Sequence, residues 1–227
     1  MAEKTSSGAK QGGNSIDSIK KEVGPTGFIG GIIGLVVLVG AAVVFFLDYS
    51  KDQKNIDAQN EIFQAQYYYE QDNLELGLEG DGRNLGFLDI IDIYSGTEVA
   101  NLASFYAGAT YLKQRNYQLA VNYLSDFSTS EDILQARASK LLGDAYMELG
   151  NFSDAASNYE AAANTVDDQY FSPSYLMSAS LAHEKSGNLE DAIAALDKII
   201  NDYKEADATD MNDARKHKAR LEVLAGK

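Results

Sequence analysis

Seven positions within GDAYMELGNFSDAASNYEAA recur twice elsewhere in the chain, and this self-similarity restricts the fold more than any other feature. They are Gly143, Tyr146, Gly150, Phe152, Ala155, Tyr159 and Ala162. Moving 35 residues back gives Gly108, Tyr111, Arg115, Tyr117, Ala120, Leu124 and Phe127; moving 37 forward gives Ser180, His183, Gly187, Leu189, Ala192, Leu196 and Ile199. A period of that length holds one pair of helices, which cannot bury its apolar face alone but can do so against a neighbour of the same kind. The expected fold class is all-α, a solenoid of stacked hairpins.

Local chemistry agrees with the period. Residues 136–149 are good helix formers with Gly143 their one glycine, and Gly150 is placed for a left-handed cap. STSED, residues 128–132, offers hydroxyls to cap the helix start and acids to suit its dipole. A second helix, about 153–163, puts Ala155, Tyr159 and Ala162 on one face. Ser172 before Pro173 reads as an N-cap with proline in the first turn. Gly143 and Ala155 are expected where two backbones approach, with Tyr146, Phe152 and Tyr159 filling the seam to the next pair. Gly108, Tyr111, Ala120 and Ala192 take the same packing roles in the outer units.

The string LGDAYMELGNFSDAASNYEAA resembles the tetratricopeptide repeat signature of small, aromatic, glycine, aromatic, alanine, aromatic, alanine, and the resemblance extends over residues 101–203. Arg115 replaces the glycine between helices in the first unit, His183 replaces the tyrosine in the third, and the late proline is missing. The resemblance implies a protein-binding groove lined by the first helix of each hairpin. Carried over residue by residue, the groove is Phe105, Ala109, Leu112, Arg137, Lys140, Asp144, Met147, Met177, Leu181 and Glu184. Ala109 and Leu141 stand where the carboxylate-clamping repeats have asparagine, so that clamp is not implied.

Ahead of the repeats, residues 27–47, GFIGGIIGLVVLVGAAVVFFL, run 21 residues without a charge. As a helix this spans roughly 30 Å, the thickness of a bilayer's hydrocarbon core. A cleaved signal peptide would leave VVFFL at a new N-terminus after a leader of 26 residues, so a retained membrane helix is the better reading. Lys4, Lys10, Lys20 and Lys21 precede the span, whereas Lys51 and Lys54 follow it among Asp48, Asp52 and Asp57, which predicts a cytoplasmic N-terminus and export of the rest. Beyond residue 47 there are 15 basic and 31 acidic residues, a net charge of −16. Such a domain is repelled by anionic lipid and by nucleic acid. Gly27 with Gly31, and Gly30 with Gly34, are spaced for close helix packing, against the simpler reading that glycine is common in membrane helices.

Residues 1–26 read as a flexible tail, 48–100 as a stalk helix and a divergent first hairpin, and 101–227 as repeats with a capping helix. The stalk has no glycine from Ser50 until Gly77, and a short apolar helix around 87–94 follows the glycines of EGDGRNLG. In the last helix Leu221 and Leu224 are expected inward and Arg215, Lys216, Lys218 and Arg220 outward. Tyr67, Tyr68 and Tyr69 wrap a helix, one inward, more as packing than as a recognition surface. His183 and His217 lack the spacing of metal ligands or a nucleophile to serve, and EGDGRNLG lacks the lysine and hydroxyl of a phosphate loop. With no cysteine either, the expectation is of no enzyme, no cofactor, no metal and no small-molecule substrate.

The layout of tail, single span, stalk and acidic repeat domain resembles the YfgM-type ancillary subunits of the Sec translocon, most of all in GFLDIIDIYSGTEVANLASFYAG and YLKQRNYQLAVNYLSDF. That resemblance implies a bacterial inner-membrane anchor with the repeats in the periplasm, translocon subunits and a membrane-anchored peptidyl-prolyl isomerase as partners, and a chaperone-like role toward emerging polypeptides. A scaffold for another envelope complex, in cell-wall synthesis or division, is the alternative.

Overall fold

The computed structural model describes residues 15–226, with side chains from residue 33 onward. Every helix or strand among the described residues is a helix. Two compact units are present, Met1–Asp52 and Gln53–Lys227. Helix α1 (Ser15–Glu70) begins inside the expected tail, whose residues 1–14 lie outside the described ones.

In the first unit the large apolar side chains from Ile33 to Leu47 are 53–75% exposed. A helix apolar on every side, with its backbone bonds satisfied internally and no protein covering it, is suited to lipid. It is long and apolar enough to cross a membrane. Gly34 faces open space, and the surroundings of Gly27, Gly30 and Gly31 lie outside the described residues.

The second unit is built on one turn used repeatedly. Helix α4 (Glu98–Lys113) pairs with α5 (Tyr117–Asp126), α6 (Asp132–Glu148) with α7 (Phe152–Val166), and α8 (Ser172–Ser186) with α9 (Leu189–Asp202). Between partners the chain reverses at Arg115, Gly150 and Gly187, with φ of 62°, 78° and 86°. The next N–H groups, of Asn116, Asn151 and Asn188, donate to the carbonyls of Tyr111, Tyr146 and His183 at 2.8–2.9 Å. This six-to-one bond with a left-handed residue ends a helix without orphaned carbonyls.

A fourth copy of that turn lies earlier. Asp72 has φ 58° and the Asn73 N–H donates to the Tyr68 carbonyl at 2.9 Å. The end of α1 is therefore the first helix of a further hairpin, and α2 (Leu74–Glu79) is its shortened second helix. Helix α1 stops at Glu70, well before Gly77, because its last carbonyls are captured by this turn. Ala58, Ile62 and Ala65 of α1 are buried with Phe87 and Ile90 of α3 (Phe87–Ile93) and Val99, Ala103 and Ala107 of α4. Between α2 and α3, Asp81 accepts from the Arg83 and Asn84 N–H groups and from the Tyr68 hydroxyl, so EGDGRNLG is a turn held by one carboxylate.

The packing residues divide by what they touch. A Cβ on Gly143 would stand 2.8 Å from the Tyr159 ring, and one on Gly108 2.6 Å from the Leu124 side chain. The glycine makes room for the side chain at the Tyr159 position, not for the backbone at Ala155. Ala120, Ala155 and Ala192 are fully buried, and Ser180 Oγ donates to the Ala192 carbonyl at 2.9 Å. Tyr111 stacks on Tyr123 at 5.4 Å, and Tyr146 packs into the clusters on either side of it. Phe152 is half-buried, its ring 5.7 Å from the ammonium of Lys185 on α8, the first helix of the next hairpin.

Helix starts also differ from expectation. No hydroxyl caps α6; Gln135 reaches back to accept from the Thr129 N–H. Ser172 does not cap α8 but donates to the Ala163 carbonyl at 2.9 Å, while Asp168 accepts from the N–H groups of Tyr170 and Phe171. Helix α10 (Ala208–Leu224) closes the stack, with Leu221 fully buried and Leu224 59% exposed rather than inward. Its cations are not all free: Lys218 binds Asp197 at 2.5 Å and Arg220 grips Glu184 through two bonds of 2.6 and 2.7 Å.

Candidate protein-binding groove

The first helices of neighbouring hairpins line a shallow depression of about 430 Å³. Its floor is apolar, Leu112 on α4 and Met147 on α6, which the repeat turn brings to corresponding heights. Lys113 and Arg115 stand on one side and Asp144 and Glu148 on the other, with Tyr117 and Tyr159 completing the wall. Asp144 is held from two directions, by Lys140 Nζ at 2.6 Å and by the Tyr159 hydroxyl at 2.8 Å. Burial, then the Asp144 carboxylate, holds the Tyr159 hydroxyl far above the usual tyrosine range, so it stays a donor. Lys113 is fixed by Asp72 at 3.0 Å and sits 4.5 Å over the Tyr69 ring, which ties this wall to the first hairpin.

Leu112, Asp144 and Met147, three of the groove residues expected from sequence, thus meet in one place. Met177 lines a second depression of about 470 Å³, closed by Asp210, Asp213, Lys216, His217 and Arg220 of α10. Arg137 and Leu181 are exposed outside both. Glu184 is consumed by α10: it accepts from Arg220 and from His217 Nε2 at 2.9 Å, and Arg220 first among these causes holds its carboxyl down at about 2.

Phe105 does not line the groove. It is 4% exposed, packed against Phe127 at 5.3 Å and edge-on to Tyr106 at 5.5 Å, because the wide aromatic at this position reaches across to the loop after α5. Ala109 is buried too, at 3%. Tyr117, Glu148, Arg115 and Tyr159 line the depression without having been expected there. For Tyr159 a signal existed: a tyrosine at a packing position brings a hydroxyl that needs an acceptor, and Asp144 is it. Of the two histidines, His183 binds Glu160 at 2.8 Å and His217, at the edge of the second depression, binds Glu184, their side chains 13 and 16% exposed.

Residues 105–164 and 140–210 each match the tetratricopeptide repeat family. Residues 105–210 are tetratricopeptide repeats. The match begins within α4, so the hairpin of α1 and α2 stands outside it and is identified by its turn. No curated protein matches the chain. Tetratricopeptide repeats bind proteins through extended surfaces and carry no catalytic constellation of their own. The groove offers what such binding uses: an adaptable apolar floor and fixed hydrogen-bonding walls of both charges.

Proposed function

We propose that this chain is an ancillary subunit of the Sec translocon, anchored by α1 with its N-terminus in the cytoplasm and its tetratricopeptide solenoid in the periplasm. There it binds other subunits, a membrane-anchored peptidyl-prolyl isomerase among them, and holds exported polypeptides as they emerge. The observation that carries this reading is the depression floored by Leu112 and Met147 on a repeat domain that follows a helix able to cross a membrane. A thioether and a leucine accept varied apolar side chains, while the flanking Lys113, Arg115, Asp144 and Glu148 accept or donate to an extended backbone. Binding is reversible and needs no chemistry, since anchoring beside a channel raises the effective concentration of its clients.

Photocrosslinkers placed at Leu112, Met147 and Met177 in intact membranes test this. Capture of translocon subunits and of exported chains is the expected result. Capture of wall-synthesis or division enzymes alone moves the assignment to an envelope scaffold, and capture only from outward positions removes the groove from it. Sidedness is checked separately: protease added to the cytoplasmic face of sealed vesicles leaves the solenoid intact.

A further inference from the structure

Residues 53–70 of α1 bury one face and bare the other. Ala58, Ile62 and Ala65 are 0–5% exposed in the core of the first hairpin. Ile56, Phe63 and Tyr67, on the opposite side at 100° per residue, are 51, 73 and 51% exposed. The bare stripe runs Gln53, Ile56, Asn60, Phe63, Tyr67, with intervals of 3, 4, 3 and 4 residues. That spacing is heptad-like, with Gln53, Asn60 and Tyr67 at the a positions and Ile56 and Phe63 at d, two of the three a residues being polar. A lone asparagine at a fixes two parallel strands in register, because its amide pairs with its own counterpart across the axis. In the chain by itself the Asn60 amide only donates to the Ile56 carbonyl, at 3.2 Å on an exposed surface.

Charge selects what covers the stripe. Beyond residue 47 the chain carries −16, so two copies repel each other across most of their surface. All five stripe residues are uncharged, and Glu70, next in the series, is the residue at which α1 ends. Beside the seam the e and g positions are Asp57, Gln59, Gln64 and Gln66, so within residues 53–70 Asp57 is the one charge that flanks it. Chains that cross a membrane once share a plane and an orientation, which is the arrangement a two-fold axis along the bilayer normal requires to bring one face against itself.

We propose that residues 53–70 form a parallel two-stranded coil with a second copy of this chain. The segment is too short to associate strongly in free solution, and anchoring in one membrane supplies the effective concentration. The seam leaves the solenoid's own core untouched, since the residues that enter it are on the other side of the helix.

The chain has no cysteine, so single cysteines report contacts without background. The full-length protein, reconstituted alone in lipid vesicles with Asn60→Cys, Phe63→Cys or Tyr67→Cys, is oxidised and compared with Ile133→Cys, a site 65% exposed on α6. Disulfide-linked dimer is expected to form about tenfold faster at the three stripe positions, where two-fold neighbours lie within bonding range. Adding Phe63→Glu to Asn60→Cys is expected to cut that dimer about tenfold by burying opposed carboxylates, with unchanged circular dichroism because Phe63 touches no core. Equal rates at residues 60 and 133, or a dimer indifferent to Phe63→Glu, overturns the proposal. So does an Asn60→Cys adduct in native membranes with a different protein when the reconstituted chain gives none.

Discussion

Arg115 shows the repeat dictating backbone against side-chain preference. It adopts φ 62°, the region its counterparts Gly150 and Gly187 occupy as glycines, and makes the same turn bonds. A Cβ there costs about 1 kcal/mol relative to glycine. Arg115→Gly is therefore expected to raise the solenoid's melting temperature by a few degrees, read by circular dichroism in detergent. Gly143 is glycine for the other reason, space. Gly143→Ala drives a methyl group to 2.8 Å from the Tyr159 ring and is expected to cost about 1–3 kcal/mol, with recovery when Tyr159→Leu is added. Gly150→Ala meets open space and should cost only its left-handed strain, about 1 kcal/mol, with no recovery from any neighbour. A Gly143→Ala loss equal to that of Gly150→Ala, unrelieved by the second change, contradicts the steric account.

At the level of whole helices, α10 is held by a buried leucine and by charge. Leu221 sits fully buried with Leu196, Ile199 and Tyr203, and Leu221→Ala is expected to cost about 2–5 kcal/mol of solenoid stability in denaturant titration. The ionic part is pH-dependent. Arg220 and His217 hold the Glu184 carboxyl at about 2, below its ordinary 4.5. Unfolding raises its affinity for protons, so this contribution is complete above about pH 4.5 and is lost as pH falls toward 2. Thermal melts should show stability declining over that window, and Glu184→Gln should flatten the decline; an unchanged slope would remove Glu184 as its source. In α10 the amphipathic pattern made Leu221 legible, whereas Leu224 near the helix end turned out exposed because the last turn runs past the body it packs on.

For the molecule as a whole, the consequential finding is that the second unit begins within α1. Ala58, Ile62 and Ala65 cover Phe87, Ile90 and Val99, so the segment after the apolar stretch of α1 is structural rather than a spacer. Removing residues 1–52 is expected to leave a folded, soluble solenoid. Removing residues 1–71 uncovers that apolar face, and aggregation with loss of cooperative melting should follow on size-exclusion chromatography and circular dichroism. If both truncations behave alike, the first hairpin is dispensable. The signal for it is present in DNLELG, which aligns with RNYQLA, GNFSDA and GNLEDA, but Asp72 in place of glycine and an interval of 43 residues between Asn73 and Asn116 set it apart from the period near 35 of the later units.

Periodicity in the chain alone settles the helical class, the three later hairpins and the apolar span, because each depends on spacing along one strand of polymer: small residues at fixed intervals, glycines at turns, an uncharged run of bilayer length. The groove is set by tertiary contact. Phe105 and Leu112 share a helix and a face in one dimension, yet one is swallowed by Phe127 and the other left open beside Met147. Which side of a helix a neighbour covers is decided by how hairpins pack on one another, and that contact joins residues too far apart in sequence for any local pattern to register.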